Sequence, residues 1–256
     1  MTLKELLEGE FCRRNTTQNL QNFADPLIVA SQNPTPQKAL ICALFSYGNA
    51  EAIVKFLRKI DFEILEQNEE QIRLYARKNR LLYRFESVED VAEILVLFSR
   101  LKGFDFEGRI LEGMARSGEV IDGLNALVKE LYRHTTYRSS GFEFWLGKPF
   151  EKSPKSPYKR LNMWLRWMVR DGQIDLGLFR RIDKSRLILP LDVHTHRVCL
   201  RLGLCPRKSY DFAAAKLTTQ NLAAFDAADP VKYDFALYRI GQSKELDEIC
   251  QKLQNG

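Results

Sequence analysis

Apolar positions along this chain recur at intervals of three and four, the signature of helices with one buried face. Behind Ser87, the residues Val91, Ile94, Leu95 and Phe98 predict a helix to Leu101 that Gly103 stops. Ile121, Leu124, Leu127, Val128 and Leu131 predict another over 119–132. Thr2 and Glu5 have capping-box spacing, and leucines at 3, 6 and 7 give a first helix its stripe. The stretch 39–45 behind Thr35-Pro36 is apolar nearly all round and predicts a central buried helix closed by Gly48. Asn49 then falls in a surface turn before an amphipathic helix over 50–59. Residues 60–86 fit either a short hairpin about Lys78-Asn79 or two short helices. Further helices are predicted over 158–170 and 174–182, two short ones within 209–225, and one behind an Asp229-Pro230 cap that Gly241 ends. The chain reads as all-α, with neither a repeat nor βα alternation.

One stretch, Leu189 to Leu204, packs a proline stop, a carboxylate, a helix and a glycine stop into sixteen residues. Asp192 precedes the periodic Val193, Val198, Leu200 and Leu202, so it is a natural N-cap, and Gly203 is a natural terminator. A carboxylate at the positive end of a helix is favoured in its ionised form. An ordinary capped helix is the plain reading. The alternative is a carboxylate aimed, with the neighbouring N–H groups, at a ligand.

Composition narrows the class. At 256 residues, with 45% hydrophobic and 28% charged content, the chain can bury a sizeable core as one domain or two lobes. Its net charge of +6 suits a polyanionic partner such as nucleic acid. No apolar run approaches the roughly 20 residues that cross a bilayer, and no basic leader followed by an apolar core opens the chain. A cytoplasmic protein without a membrane span is expected. Cys12, Cys42, Cys199, Cys205 and Cys250 are scattered, without the close spacing of a zinc ribbon or an iron–sulfur site.

Three groups of residues carry candidate chemistry. The loop 148–157, rich in Pro and Lys and containing Lys152 and Lys155, leads into a helix beginning with Lys159 and Arg160. Such a loop is a solvated surface segment or a phosphate clamp, with lysine charge backed by a helix N-terminus. His194 and His196 stand two apart on a helix, pointing to nearly opposite sides, so no metal is assigned to Asp192-Val193-His194-Thr195-His196. Asp234 and Tyr238 stand four apart and share a helix face.

The segment Leu191-Asp192-Val193-His194, followed by Arg197-Val198 and Arg201-Leu202-Gly203-Leu204, resembles the catalytic-aspartate segment of the helix-hairpin-helix DNA glycosylases, the endonuclease III and 8-oxoguanine glycosylase superfamily. Tyr158-Lys159-Arg160-Leu161-Asn162-Met163-Trp164-Leu165 resembles the element that supplies the lysine nucleophile in members that also cut the strand. The match is convincing over about 155–204 and weaker at 36–60 and 229–242. The family's glycine-rich hairpin is replaced by the Pro/Lys/Ser loop, and the gap from Lys159 to Asp192 is longer than in endonuclease III. Both features resemble the archaeal-type 8-oxoguanine DNA glycosylases more than the endonuclease III group. The cysteine cluster of many endonuclease III relatives is absent, so no cofactor is implied.

The resemblance implies an all-α, two-lobed HhH-GPD-type fold with an atypical hairpin. Residues 36–187 would form one lobe with the hairpin and Lys159, residues 1–35 plus 188–256 the other with Asp192, and DNA would lie in the seam. It implies a monomeric glycosylase and AP lyase acting on double-stranded DNA that contains a damaged base. The most fitting lesion is an oxidised purine such as 8-oxoguanine. Lys159 and Asp192 would be catalytic, and Asp234, Tyr238 and Met163 would line the base pocket. Asn49 would fill the gap in the stack, while Lys152, Lys155, Arg160, His194 and Arg197 would contact the DNA. The chemistry asks for these groups: a carboxylate stabilises positive charge building on the sugar, and an amine adds to C1′. A different lesion (an oxidised pyrimidine or alkylated purine) and a non-catalytic DNA-binding module are the alternatives.

Overall fold

The computed structural model describes residues 1–243 and 245–254. Among them lie α1 (Leu3–Arg14), α2 (Thr17–Gln21), α3 (Pro26–Ala30), α4 (Pro36–Leu44), α5 (Ala50–Leu57), α6 (Glu69–Lys78), α7 (Val88–Ser99) and α8 (Phe106–Met114). They are followed by α9 (Val120–Arg133), α10 (Ser140–Leu146), α11 (Lys159–Val169), α12 (Val193–Arg201), α13 (Phe212–Ala223), α14 (Asp234–Gln242) and α15 (Leu246–Gln254). Three 3-10 turns, Phe62–Glu66, Lys184–Arg186 and Pro230–Tyr233, complete the set, and the described residues hold no strand beyond a single Tyr83–Glu86 bridge. The protein is all-α. No described helix is long and apolar enough to cross a membrane.

Side-chain caps start most of these helices where the sequence places them. Thr2 and Glu5 form a reciprocal capping box, as do Ser87 and Asp90, and Thr35 accepts from Lys38 N–H with Pro36 in the first turn. Residues 60–86 contain a 3-10 turn and α6, so the region is helical where a hairpin was the other option. Residues 209–225 form one helix, α13, instead of two.

Contacts divide the chain into two compact units. The bipartite unit joins Met1–Phe23 to Lys152–Gly256, and the inserted unit is Ala24–Glu151. The division therefore falls at 23/24 and 151/152 instead of at 35/36 and 187/188 as expected. Residues 152–187 belong with the Asp192 segment because α11 pairs its buried side chains there: Trp164 stacks edge-on against Phe179, Arg166 bonds Asp234 and Arg170 bonds Asp229. In the inserted unit α4 is buried from Ala39 to Leu44, and so is its C-cap Phe45, the central position the all-round apolar surface predicts.

Within the bipartite unit three local expectations give way. Residues 174–182 are not helical. Leu176 and Gly177 N–H donate to the Trp167 carbonyl and Phe179 N–H to that of Met168, so the segment wraps and terminates α11. Asp229 caps no helix with its side chain, which accepts from Arg170 instead. Gly241 does not end α14 but lies inside it, where a Cβ would sit 3.3 Å from His194 Cβ and from a Val198 methyl. That close approach sets α14 against α12. Gly241→Val is expected to cost about 1–3 kcal/mol by overpacking this crossing, read as a lowered urea midpoint.

Candidate functional site

α12 begins as its sequence requires. Asp192 has an extended backbone, and its Oδ1 accepts the Thr195 N–H at 2.7 Å. The side chain is half-buried, while Val193, His194 and Arg197 on the same helix are exposed. Tyr210 stands beside this helix start. Its hydroxyl donates to the Leu191 carbonyl at 3.1 Å and its ring lies 5.8 Å from that of His196. Burial of the hydroxyl pushes the phenol up to about 12, and the Asp192 charge adds to the shift.

α11 starts against local preference. Its N-cap Tyr158 adopts a left-handed backbone, φ +55°, and contributes no side-chain capping bond. The first two helical residues are Lys159 and Arg160, cations at the end of a helix that favours anions. Asn162 ties the turn down, donating its amide to the Pro157 carbonyl at 3.0 Å. A bulky residue at positive φ followed by two cations is the kind of local conflict that collects at functional positions.

Behind these helix starts runs a buried chain of charges. Asp234, 4% exposed, accepts from Arg166 Nη1 at 2.5 Å. Arg166 Nη2 lies 3.0 Å from Asp175, whose other oxygen meets Arg170. Arg170 Nε then lies 3.0 Å from both oxygens of Asp229. Three carboxyls share two guanidiniums, one positive charge short of neutrality. Burial, the largest cause, raises Asp234 to about 6 against the pull of Arg166. The Asp192 charge raises it further and the Lys159 charge opposes. Lys159 and Asp192, 33 positions apart in the chain, thus both act on this one buried carboxyl.

The raised value fixes a pH dependence. Between the ordinary carboxylate value of 3.8 and about 6 the folded protein holds more protons than the unfolded chain. The contribution of Asp234 is therefore fully present below that window and is lost as pH rises through about 6. In urea titrations from about pH 4 to about pH 7, wild-type stability is expected to fall relative to Asp234→Asn. A difference that stays constant across that range would contradict the assignment.

Of the other expected residues, Met163 is buried on α11, and Tyr238 is half-buried with its hydroxyl accepting from Gln242 at 2.8 Å. Lys152 and Lys155 are exposed in the loop before α11, and Arg160 is half-buried. All of these lie in the bipartite unit. Asn49 does not: it is exposed in the inserted unit, where its Oδ1 caps α5 through Ala52 N–H at 3.1 Å. Of the chain's charges, 22 Lys and Arg stand against 14 Asp and Glu in the bipartite unit, and 17 against 19 in the inserted one. The net +6 therefore separates into +8 and −2. Sequence reasoning missed Tyr210, Arg166 and Asp175. The one available signal was the Arg166/Arg170 pair, one helical turn apart in a segment of tryptophans and methionines that would be buried. Among the described residues no group of three His, Cys, Asp or Glu side chains is arranged to hold a metal ion.

The model of the family described as "protein of unknown function (DUF2400)" matches residues 25–243, and the chain belongs to that family. No curated protein and no solved structure gives a significant match.

Proposed function

We propose that this protein is a DNA glycosylase with AP-lyase activity, acting as a monomer on double-stranded DNA that contains an oxidised purine, with 8-oxoguanine the first candidate. The observations that carry the reading are the starts of two helices in the unit that holds the basic excess: Lys159 opens α11 behind the left-handed Tyr158, and Asp192 caps α12, with the buried Asp234 influenced by both charges. The local resemblance of 155–204 to helix-hairpin-helix glycosylases supplies the reaction.

In that reaction the bond between C1′ and the base breaks, and the departing base takes up a proton. The Asp192 carboxylate stabilises the positive charge developing on the sugar. The Lys159 amine adds to C1′, loses a proton, and forms an iminium as the sugar ring opens. Removal of a C2′ proton then expels the 3′ phosphate and cuts the strand. Asp234 and Tyr238 offer the displaced purine an acceptor and an aromatic face, with Met163 as an apolar wall. The lysines 152 and 155 with Arg160, His194 and Arg197 offer cations to the phosphates.

The test is release of free base and strand cleavage on duplexes carrying 8-oxoguanine, an oxidised pyrimidine or an alkylated purine, each opposite all four bases. Release from the 8-oxoguanine duplex is expected to exceed that from the others. Release of another lesion would retain the enzyme and change its substrate. Binding of every duplex with no release from any would leave a DNA-binding module.

A further inference from the structure

The inserted unit carries a second surface, built from residues far in sequence from Lys159 and Asp192. Between α6 and α7 the chain turns sharply, with Arg80 and Arg84 at φ 46° and 53°, and buried Leu81 and Tyr83 alternate with exposed Leu82, Arg84 and Phe85. Phe85 is 60% exposed and Phe144, on α10, 45%; their ring centroids are 5.0 Å apart. Tyr47 lies 5.1 Å from Phe144 and 6.3 Å from Phe85, its plane within 6° of the Phe85 ring.

The Arg84 guanidinium carbon stands 5.9 Å from the Tyr47 centroid and 5.4 Å from that of Phe85. It is laid against the turn at Gly48, φ +99°, where a Cβ would come within 2.5 Å of Arg84 Nη1. The group is held in place from beneath. The Tyr47 hydroxyl bonds Glu86, and the Tyr83 hydroxyl donates to the Tyr47 carbonyl at 2.7 Å.

Single exposed apolar residues are ordinary, but two phenylalanines clustered with a tyrosine and a guanidinium mark a contact surface. We propose that Tyr47, Phe85, Phe144 and Arg84 form a platform that stacks the unpaired bases of single-stranded DNA, whether or not a base is damaged. An unpaired nucleotide needs an aromatic face for its base and a cation for its phosphate, and this group supplies both. The inserted unit's net charge of −2 gives phosphates no general attraction, so affinity at this surface comes from the bases. A second copy of the chain is the other occupant these rings could take, and self-association is read in the test below. The proposal goes beyond the glycosylase reading and does not require it.

The test compares a labelled oligothymidine with an oligonucleotide of equal length made of tetrahydrofuran abasic analogues, whose sugars no amine can open, by fluorescence anisotropy, using the full chain. The two probes share their phosphates and differ only in bases. Wild type is expected to bind oligothymidine at least about tenfold more tightly than the abasic strand, and Phe85→Ala/Phe144→Ala is expected to lose that preference. The double Phe→Leu variant keeps the apolar area and removes two π faces, so it too should lose the preference; it guards against a fault in folding, checked by near-UV circular dichroism. Equal wild-type affinity for both probes overturns the proposal, as does a preference that survives in both double variants. Self-association of the wild type that the alanine variant abolishes also overturns it, since the rings would then cover one another between copies. Failure of base release in the lesion assay leaves this result untouched, so the two readings fail separately.

Discussion

Lys159→Gln is expected to abolish strand cleavage, by roughly a thousandfold or more, because in the proposed reaction Lys159 supplies the amine to C1′. Base release should fall with it if the amine attacks the intact nucleoside, and should persist if the amine enters only after the base has left. Either outcome distinguishes the order of steps, and both require that cleavage be lost. Stability is expected to stay at the wild-type level. Lys159 is the first residue of α11, where the helix dipole disfavours a cation, while its charge favours the ionised form of Asp234, so the neutral amide removes one unfavourable and one favourable interaction. Single-turnover cleavage of an abasic-site duplex measures the first effect, and urea unfolding the second. Cleavage at the wild-type rate would remove Lys159 from the mechanism.

Asp192 has two roles that separate by substitution. As an N-cap it accepts the Thr195 N–H at 2.7 Å, and asparagine can do the same. As a charge it faces the sugar cation in the proposed reaction, which asparagine cannot do. Asp192→Asn is therefore expected to leave stability nearly unchanged while slowing base release by about 10²–10³-fold. Asp192→Ala should show the same kinetic loss and, in addition, lose about 1 kcal/mol of stability with the cap. Were the aspartate only a cap, the asparagine variant would be as active as wild type and only alanine would matter.

Much of the helical framework was legible because its signals are local. A Ser87–Asp90 box, a Thr35-Pro36 start and an Asp192 cap lie within four residues of the groups they satisfy, and each is found where the sequence puts it. What could not be read depends on partners far along the chain. Asp229-Pro230 has the form of a helix start, yet the Asp229 carboxylate goes to Arg170, 59 positions away. Residues 174–182 have helical spacing, yet Asp175 is drawn to Arg166 and Arg170 and the backbone is spent on capping α11. Helix α8 went unread, with Gly108 and Gly113 in its interior lowering any helical preference. Its packing against α9 overrides that preference.

The candidate site was partly legible in the same sense. Lys159 and Asp192 were singled out by a family resemblance, and only the folded chain brings their charges to the same buried carboxyl. The resemblance implies Asp234 as a base contact; the structure shows it as one end of the ion-pair chain through Arg166, Asp175 and Arg170. Tyr210 carries no sequence signal, because what matters is the one hydrogen bond that holds its ring beside the Asp192 cap. Contacts group α10 with the inserted unit and α11 with the bipartite one, a division that differs from the lobes the resemblance implies because the partners of α11, Phe179, Asp229 and Asp234, lie after it in the chain.

The most direct test of the proposed nucleophile is to identify the residue that bonds the sugar. Protein incubated with an 8-oxoguanine duplex in the presence of borohydride would be digested and its peptides mapped by mass spectrometry. The account predicts a reduced deoxyribose adduct on Lys159 and on no other amine. An adduct at a different lysine or at the N-terminus, or no adduct from a duplex whose base is released, would contradict it.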